Sequence, residues 1–477
     1  MEETRQLVIE PQGERPKFNK KIIGIIALCV LGICVIVAII IAIIKARTIS
    51  TGAGGLEITS GGTYTISEDI SSGSVVVRAD EADVHLVLDG VSIKNTNGPA
   101  IFVESADNVF IELKGENKIT ATATNDYNGA IYSKSDLEFS GDGSLEISST
   151  IDGIVGKDDL VINSGTFTIS AKDEGIVGKD SITINGGDLT ISATSGHGLK
   201  TSNEEKKGDM VINNGSLDIT AGTDGLHSIA NITIAGGNIT ISAADDGIHA
   251  DSAVTVNNGT INITKSYEGI EGGEIAVNGG DIKVVASDDG FNAAGGSDNT
   301  KSMASSFSGD TSKVIKINGG NIYVDASGDG IDSNGNIYIT GGTTYVDGPT
   351  NDGNGPMDYG DGGCEFVITG GTLIAVGSAG MAVNATSADQ PSVLMNLSGS
   401  HSGALSFGSI NYTPSKTYSS VLISSPELHT GNNYTLTIDS KEIQTTSITS
   451  NITNTGTAGM MPGMGNGQQG GPSGMRR

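Results

Sequence analysis

Tryptophan is absent from this chain of 477 residues, and phenylalanine and tyrosine number only 9 and 11. A core of large rings is therefore excluded. Apolar burial must come from small and β-branched side chains arranged in thin layers. Cysteine is nearly absent as well. Two of the three, Cys29 and Cys34, lie in one apolar run and only Cys364 lies beyond it, so the remainder of the chain can hold no internal disulfide. Positive charge is also scarce. The chain has 27 basic against 55 acidic residues, and 51 of the acids lie beyond residue 47. That balance argues against nucleic acid or an anionic membrane surface as partner. Proline, at 10, is far outnumbered by 70 glycines.

Long hydrophobic runs are missing with one exception. Residues 22–44 are uncharged over 23 positions, enough to cross about 30 Å of hydrocarbon. Arg5, Arg15, Lys17, Lys20 and Lys21 precede the run, so residues 1–21 are expected in the cytoplasm and the remainder outside the cell. The expectation is a single-pass, retained membrane anchor at 22–44, then a linker at 45–55.

Beyond the linker the chain is periodic. Asp152-Gly153, Glu174-Gly175, His197-Gly198, Asp224-Gly225, Asp246-Gly247, Glu268-Gly269, Asp289-Gly290, Asp329-Gly330 and Asp352-Gly353 recur at spacings of 22, 23, 27, 22, 22, 21, 40 and 23 residues. A fixed period with insertions marks a solenoid, in which equivalent positions become columns. Each period contains three short alternating segments separated by Gly or Asn turns, as in DDGIHADSAVTVNNGTINITKS (245–266). Ile154, Ile176, Leu199, Leu226, Ile248, Ile270, Phe291 and Ile331 form one inward column. Asn163, Asn185, Asn213, Asn257, Asn278 and Asn318 share another phase, where stacked amides can bond along the axis. The pattern implies an all-β, right-handed parallel β-helix of three sheets over residues 56–396. A small C-terminal β cap at 397–450 and a disordered Gly/Met-rich tail at 451–477 complete the expected organisation.

The acid before each glycine has two readings. An Asp-Gly pair can be a turn whose carboxylate accepts backbone N–H groups, and this suits Asp152 and Glu174, where Val155 and Val177 stand two places after the glycine. In later coils that second position holds His249, Glu271, Asn292 and Asp332. Carboxylates stacked about 4.8 Å apart repel by about 3.5 kcal/mol per pair at an effective dielectric of 20. Oxygen-only clusters suit calcium. Asp245, Asp246, Asp251, Glu268, Glu271, Asp288, Asp289, Asn292, Asp329 and Asp332 are therefore the candidate Ca2+ ligands. Zinc on His227 and His249 would need more nitrogen or sulfur than this corner offers. Tyr323 and Tyr345, outward in adjacent coils, are the candidate carbohydrate-binding residues, with cross-strand packing as the alternative.

Catalysis finds little support. Gly196-His197-Gly198 is similar to a polygalacturonase motif, yet neither an Asn-Thr-Asp nor an Arg-Ile-Lys triplet accompanies it. Lys200, Lys265 and Lys283 are the candidate bases for a lyase, and none stands out. No catalytic residue is assigned.

The segment 341–382, the DDGIHA and DDGFNAAGG coils and SSPELHTGNNYTLTI (424–438) resemble the bacterial carbohydrate-binding parallel β-helix family related to pectate lyases. The resemblance implies a right-handed β-helix with bound calcium that binds cellulose or pectic polymers such as polygalacturonate without established catalysis. The expected function is a surface-anchored, calcium-dependent polysaccharide-binding protein. A calcium-dependent pectate lyase and a structural adhesin stabilised by calcium are the alternatives.

Overall fold

The computed structural model describes residues 47–48, 54–203, 208–294 and 309–456. The expected anchor at 22–44 and the cytoplasmic segment before it lie outside the described residues, as does most of the expected tail. Among the described residues no helix is long and apolar enough to cross a membrane.

The described chain is all-β, and each repeat contributes three short strands. In one, Leu226–Ser228, Asn231–Ile234 and Asn238–Ala243 succeed one another and pair in parallel with the strands of the next repeat. Alternation dictates this arrangement: Ile232, Ile234, Ile239 and Ile241 turn inward and are at most 1% exposed, while the residues between them face out. The inward column read from sequence, from Ile154 to Ile331, is fully buried. Five buried aliphatics per repeat contribute on the order of 10 kcal/mol before the ordering cost of the chain is subtracted.

The three strand columns group into two large parallel sheets rather than three, of 26 and 15 strands. The first two columns merge because Ile248–Val256 and Ile270–Val277 continue through the bend between them as single strands, with a shift of register between Ala250 and Ala253.

Two glycine columns allow the close stacking. The glycine after each acid sits against the next coil's carbonyl. A Cβ on Gly247 would lie 2.6 Å from Gly269 O, and one on Gly269 would lie 2.2 Å from Gly290 O. The second column, including Gly237, Gly259 and Gly280, has φ near +100° and makes the turn before the third strand. Beside it runs the expected amide ladder: Asn185 Nδ2 donates to Asn163 Oδ1 (2.7 Å), Asn213 to Asn185 (2.8 Å), Asn278 to Asn257 (2.9 Å) and Asn318 to Asn278 (2.8 Å). Ala235 stands where one further Asn would join the two halves.

In the 15-stranded sheet the parallel ladder is interrupted at Thr372–Gly377, which pairs antiparallel with Tyr418–Ser424. Leu405–Phe407, Ile410–Tyr412, Asn433–Ile438 and Lys441–Ser447 form a separate four-stranded antiparallel sheet. Ile452–Thr455, assigned to the tail by composition, is a strand paired with Ser392–Met395.

Candidate functional site

Two columns run side by side at one corner of the coils. The first holds the acids that precede the glycines. One oxygen of most of these acids is used structurally: Asp152 Oδ1 accepts the N–H of Glu174 (3.1 Å), Asp224 Oδ1 that of Asp246 (3.0 Å), Asp246 Oδ1 that of Glu268 (3.2 Å), and Asp289 Oδ1 that of Asp329 (2.6 Å). The turn reading therefore applies along the column, not only to its early coils. What differs from coil to coil is the partner of the second oxygen.

That partner is set by the neighbouring column, whose register runs Phe102, Tyr132, Val155, Val177, Lys200, His227, His249, Glu271, Asn292, Asp332, Asp358. It begins apolar, becomes basic, and ends acidic. In the apolar stretch Tyr132, Val155 and Val177 pack with Phe102 and Tyr127. Burial there raises the Asp152 carboxyl to about 7.

The basic stretch neutralises its acids with side chains. Glu174 bonds Lys200 Nζ and His197 Nδ1, both at 2.8 Å, and these bonds outweigh burial to hold it at about 2. Asp224 Oδ2 lies 2.8 Å from His227 Nδ1 and 3.4 Å from His197 Nε2; burial opposes its ionisation, but the two histidines hold the carboxyl well below its usual range. His249 is 4% exposed, with Nδ1 at 2.5 Å from Glu271 and 3.3 Å from Asp246, and Nε2 at 3.1 Å from Asp251. Burial disfavours its charge, yet the surrounding carboxylates raise it to about 12.

The acidic stretch has no such base among the described residues. Carboxylate oxygens of Asp289, Asp329 and Asp332 lie within 4.8 Å of one another. Burial and neighbouring acids raise Asp329 to about 7, Glu268 to about 8, and Asp332 well above the usual carboxylate range. Asn292 is 3% exposed; its Nδ2 donates to Glu268 Oε2 at 2.7 Å, and its Oδ1 is buried without a partner. Asp358 continues the column beneath Asp332.

The ten residues proposed as one calcium corner thus divide. Asp246, Asp251 and Glu271 surround His249; Asp245 is grouped with Asp224 and Asp246; Asp288 bonds the exposed Tyr267; Asp289, Asp329 and Asp332 cluster together, and Asn292, the register partner of Asp332, bonds Glu268. Asp358 was missed because Asp352-Gly353, taken as the ninth pair, is out of phase. Gly330 stacks on Pro356, and Asp352 is exposed and bonds Ser378.

On the second large sheet, Tyr323 and Tyr345 are register partners and line an open pocket of about 430 Å³ with Asn262, Asp281, Lys283 and Asn321. Lys283 Nζ lies 5.8 Å from the Tyr323 ring centre. The two rings do not stand equally free. Tyr345 stacks on Tyr412 of the cap at 4.8 Å and 16°, while the Tyr323 hydroxyl donates to Asp347 at 3.0 Å.

Residues 53–290 match a family described as carbohydrate-binding domain-containing protein. A protein of Acetivibrio thermocellus with that description is 34% identical over 122 residues, covering 23% of this chain and 43% of the relative. The chain thus spans less than half the length of that relative. A solved polysaccharide lyase-like protein from C. thermocellum, a gadolinium derivative, aligns at 30% identity with a TM-score of 0.37, covering 50% of this chain and 88% of that one. By sequence, residues 53–290 are similar to a carbohydrate-binding domain family.

Proposed function

We propose that this chain is a surface-anchored, calcium-dependent polysaccharide-binding protein whose coils form a right-handed parallel β-helix. The observation that carries the reading is the open pocket at Tyr323 and Tyr345. It offers ring faces beside amide, carboxylate and ammonium groups, the mixture that sugar rings and their hydroxyls require. The sequence match of residues 53–290 to a carbohydrate-binding family supports it.

The acidic stretch fits calcium. Its donors are oxygen alone, several come from successive coils, and one buried amide oxygen lacks a partner. Asp289, Asn292, Asp329 and Asp332 would hold the ion, with Glu268 and Asp358 adjacent. Calcium would neutralise the stacked carboxylates and offer open coordination positions to sugar oxygens or uronate carboxylates. Attachment through residues 22–44 would place the coils at the cell exterior.

Sedimentation with insoluble cellulose and with polygalacturonate, each with and without chelator, tests the proposal. Expected is binding to at least one polymer, weakened by chelator and by Tyr323→Ala. Absence of binding to either polymer overturns it.

A further inference from the structure

We propose that His197, Asp224 and His227 form a second metal site, selective for a divalent first-row transition ion of the zinc type and distinct from the oxygen-only cluster. From sequence, zinc at this corner lacks nitrogen donors. Stacking supplies one, because His197 stands in the acid column one coil before His227 and the two rings are 4.5 Å apart.

The three residues offer ligand atoms within 4.8 Å of one another, and His197 Nε2 and His227 Nδ1 both face Asp224 Oδ2. Donors bound to zinc at about 2.0–2.2 Å stand roughly 3.4 Å apart in a tetrahedron. His197 Nε2 and Asp224 Oδ2 are already 3.4 Å apart, while His227 Nδ1, at 2.8 Å from the same oxygen, need withdraw only slightly. Three protein donors leave a fourth position for water or a ligand.

The supporting residues are in place. Glu174 Oε2 lies 2.8 Å from His197 Nδ1 and fixes that nitrogen as the protonated one, which directs the Nε2 lone pair toward Asp224. Glu174 is itself held by Lys200. The other oxygen of Asp224 is bound to the backbone of Asp246, so the carboxylate cannot swing away. His197, Asp224 and His227 are 15%, 8% and 19% exposed at the side chain, buried enough for rigidity and open enough for an ion to enter. Two imidazoles exclude calcium, which takes oxygen, and favour zinc, copper or nickel.

The test uses the full-length chain, purified without an oligohistidine tag and dialysed against Zn2+, with metal content and affinity measured. Expected is one zinc per chain, with the intense visible absorption of four-coordinate Co2+ when cobalt is substituted. H197Q and H227Q each lower zinc affinity by at least about tenfold, as E174Q does through loss of orientation. Asp329→Asn leaves zinc binding unchanged. Should a histidine variant fail to fold, E174Q and the cobalt spectrum still decide. No zinc bound by the wild type, or zinc bound as tightly by a folded H197Q/H227Q double variant, overturns the proposal.

Discussion

At the scale of single residues, the acid-glycine pair divides its labour. The glycine permits contact and the acid closes it. Gly269→Ala forces a Cβ to within 2.2 Å of both Gly290 O and Val284 Cγ1, and should destabilise the chain by about 1–3 kcal/mol in chemical denaturation. Gly353→Ala, out of phase and meeting only Asn351 Oδ1 at 3.2 Å, should be close to neutral. In calcium titrations Asp329→Asn should weaken affinity at least about tenfold, a loss of about 1.4 kcal/mol, whereas Asp152→Asn should leave it unchanged. His249 gives a pH signature. Its folded pKa is raised, so its stabilising contribution is complete below its ordinary value near 6.5 and declines as pH rises toward about 12. Melting temperature of the wild type should therefore fall more steeply than that of His249→Gln between pH 6.5 and 9. The acids of these pairs were legible in the sequence because they repeat. The second oxygen's partner was not, since it depends on the adjacent column, and His197 meets His227 only after the coils stack.

At the scale of elements, strands were readable wherever alternation was strict, as in Asn238–Ala243, and so was the amide ladder. The joining of two strand columns into one sheet was not, because it depends on whether the chain stays extended through the bend at Asp251 and Ser252, where the pairing shifts register. Nor could composition reveal Ile452–Thr455, whose isoleucine and threonines gain a strand only by finding Ser392–Met395 far back in the chain. The cap is fastened through Asp347, which is fully buried and accepts from Tyr323 Oη (3.0 Å), Tyr412 Oη (2.7 Å) and the N–H of Ser415 (2.7 Å). Asp347→Ala strands three donors and should cost about 2–4 kcal/mol, with hydrogen exchange accelerating first in the segment around Ser415.

At the scale of the whole described chain, the basic and acidic stretches of one column lie in consecutive coils, so loss of calcium affects only one of them. The coils from Lys200 to Glu271 carry basic side chains beside their acids, and those from Asn292 to Asp358 show none in this column among the described residues. A calcium-selective chelator should accordingly lower the stability of the later coils selectively, which proteolysis and mass mapping of the fragments would locate.

The antiparallel pairing of Tyr418–Ser424 with Thr372–Gly377 has a further consequence. Every earlier strand offers its successor an edge of the same direction and register, an invitation that an identical molecule could also accept. Tyr418–Ser424 breaks that run with one strand of opposite direction, and Ser392–His401 and the short Ile452–Thr455 then cover it. A chain ending after Ala388 should therefore join end to end into filaments, growing with concentration and visible by light scattering, while the chain of 477 residues stays dispersed.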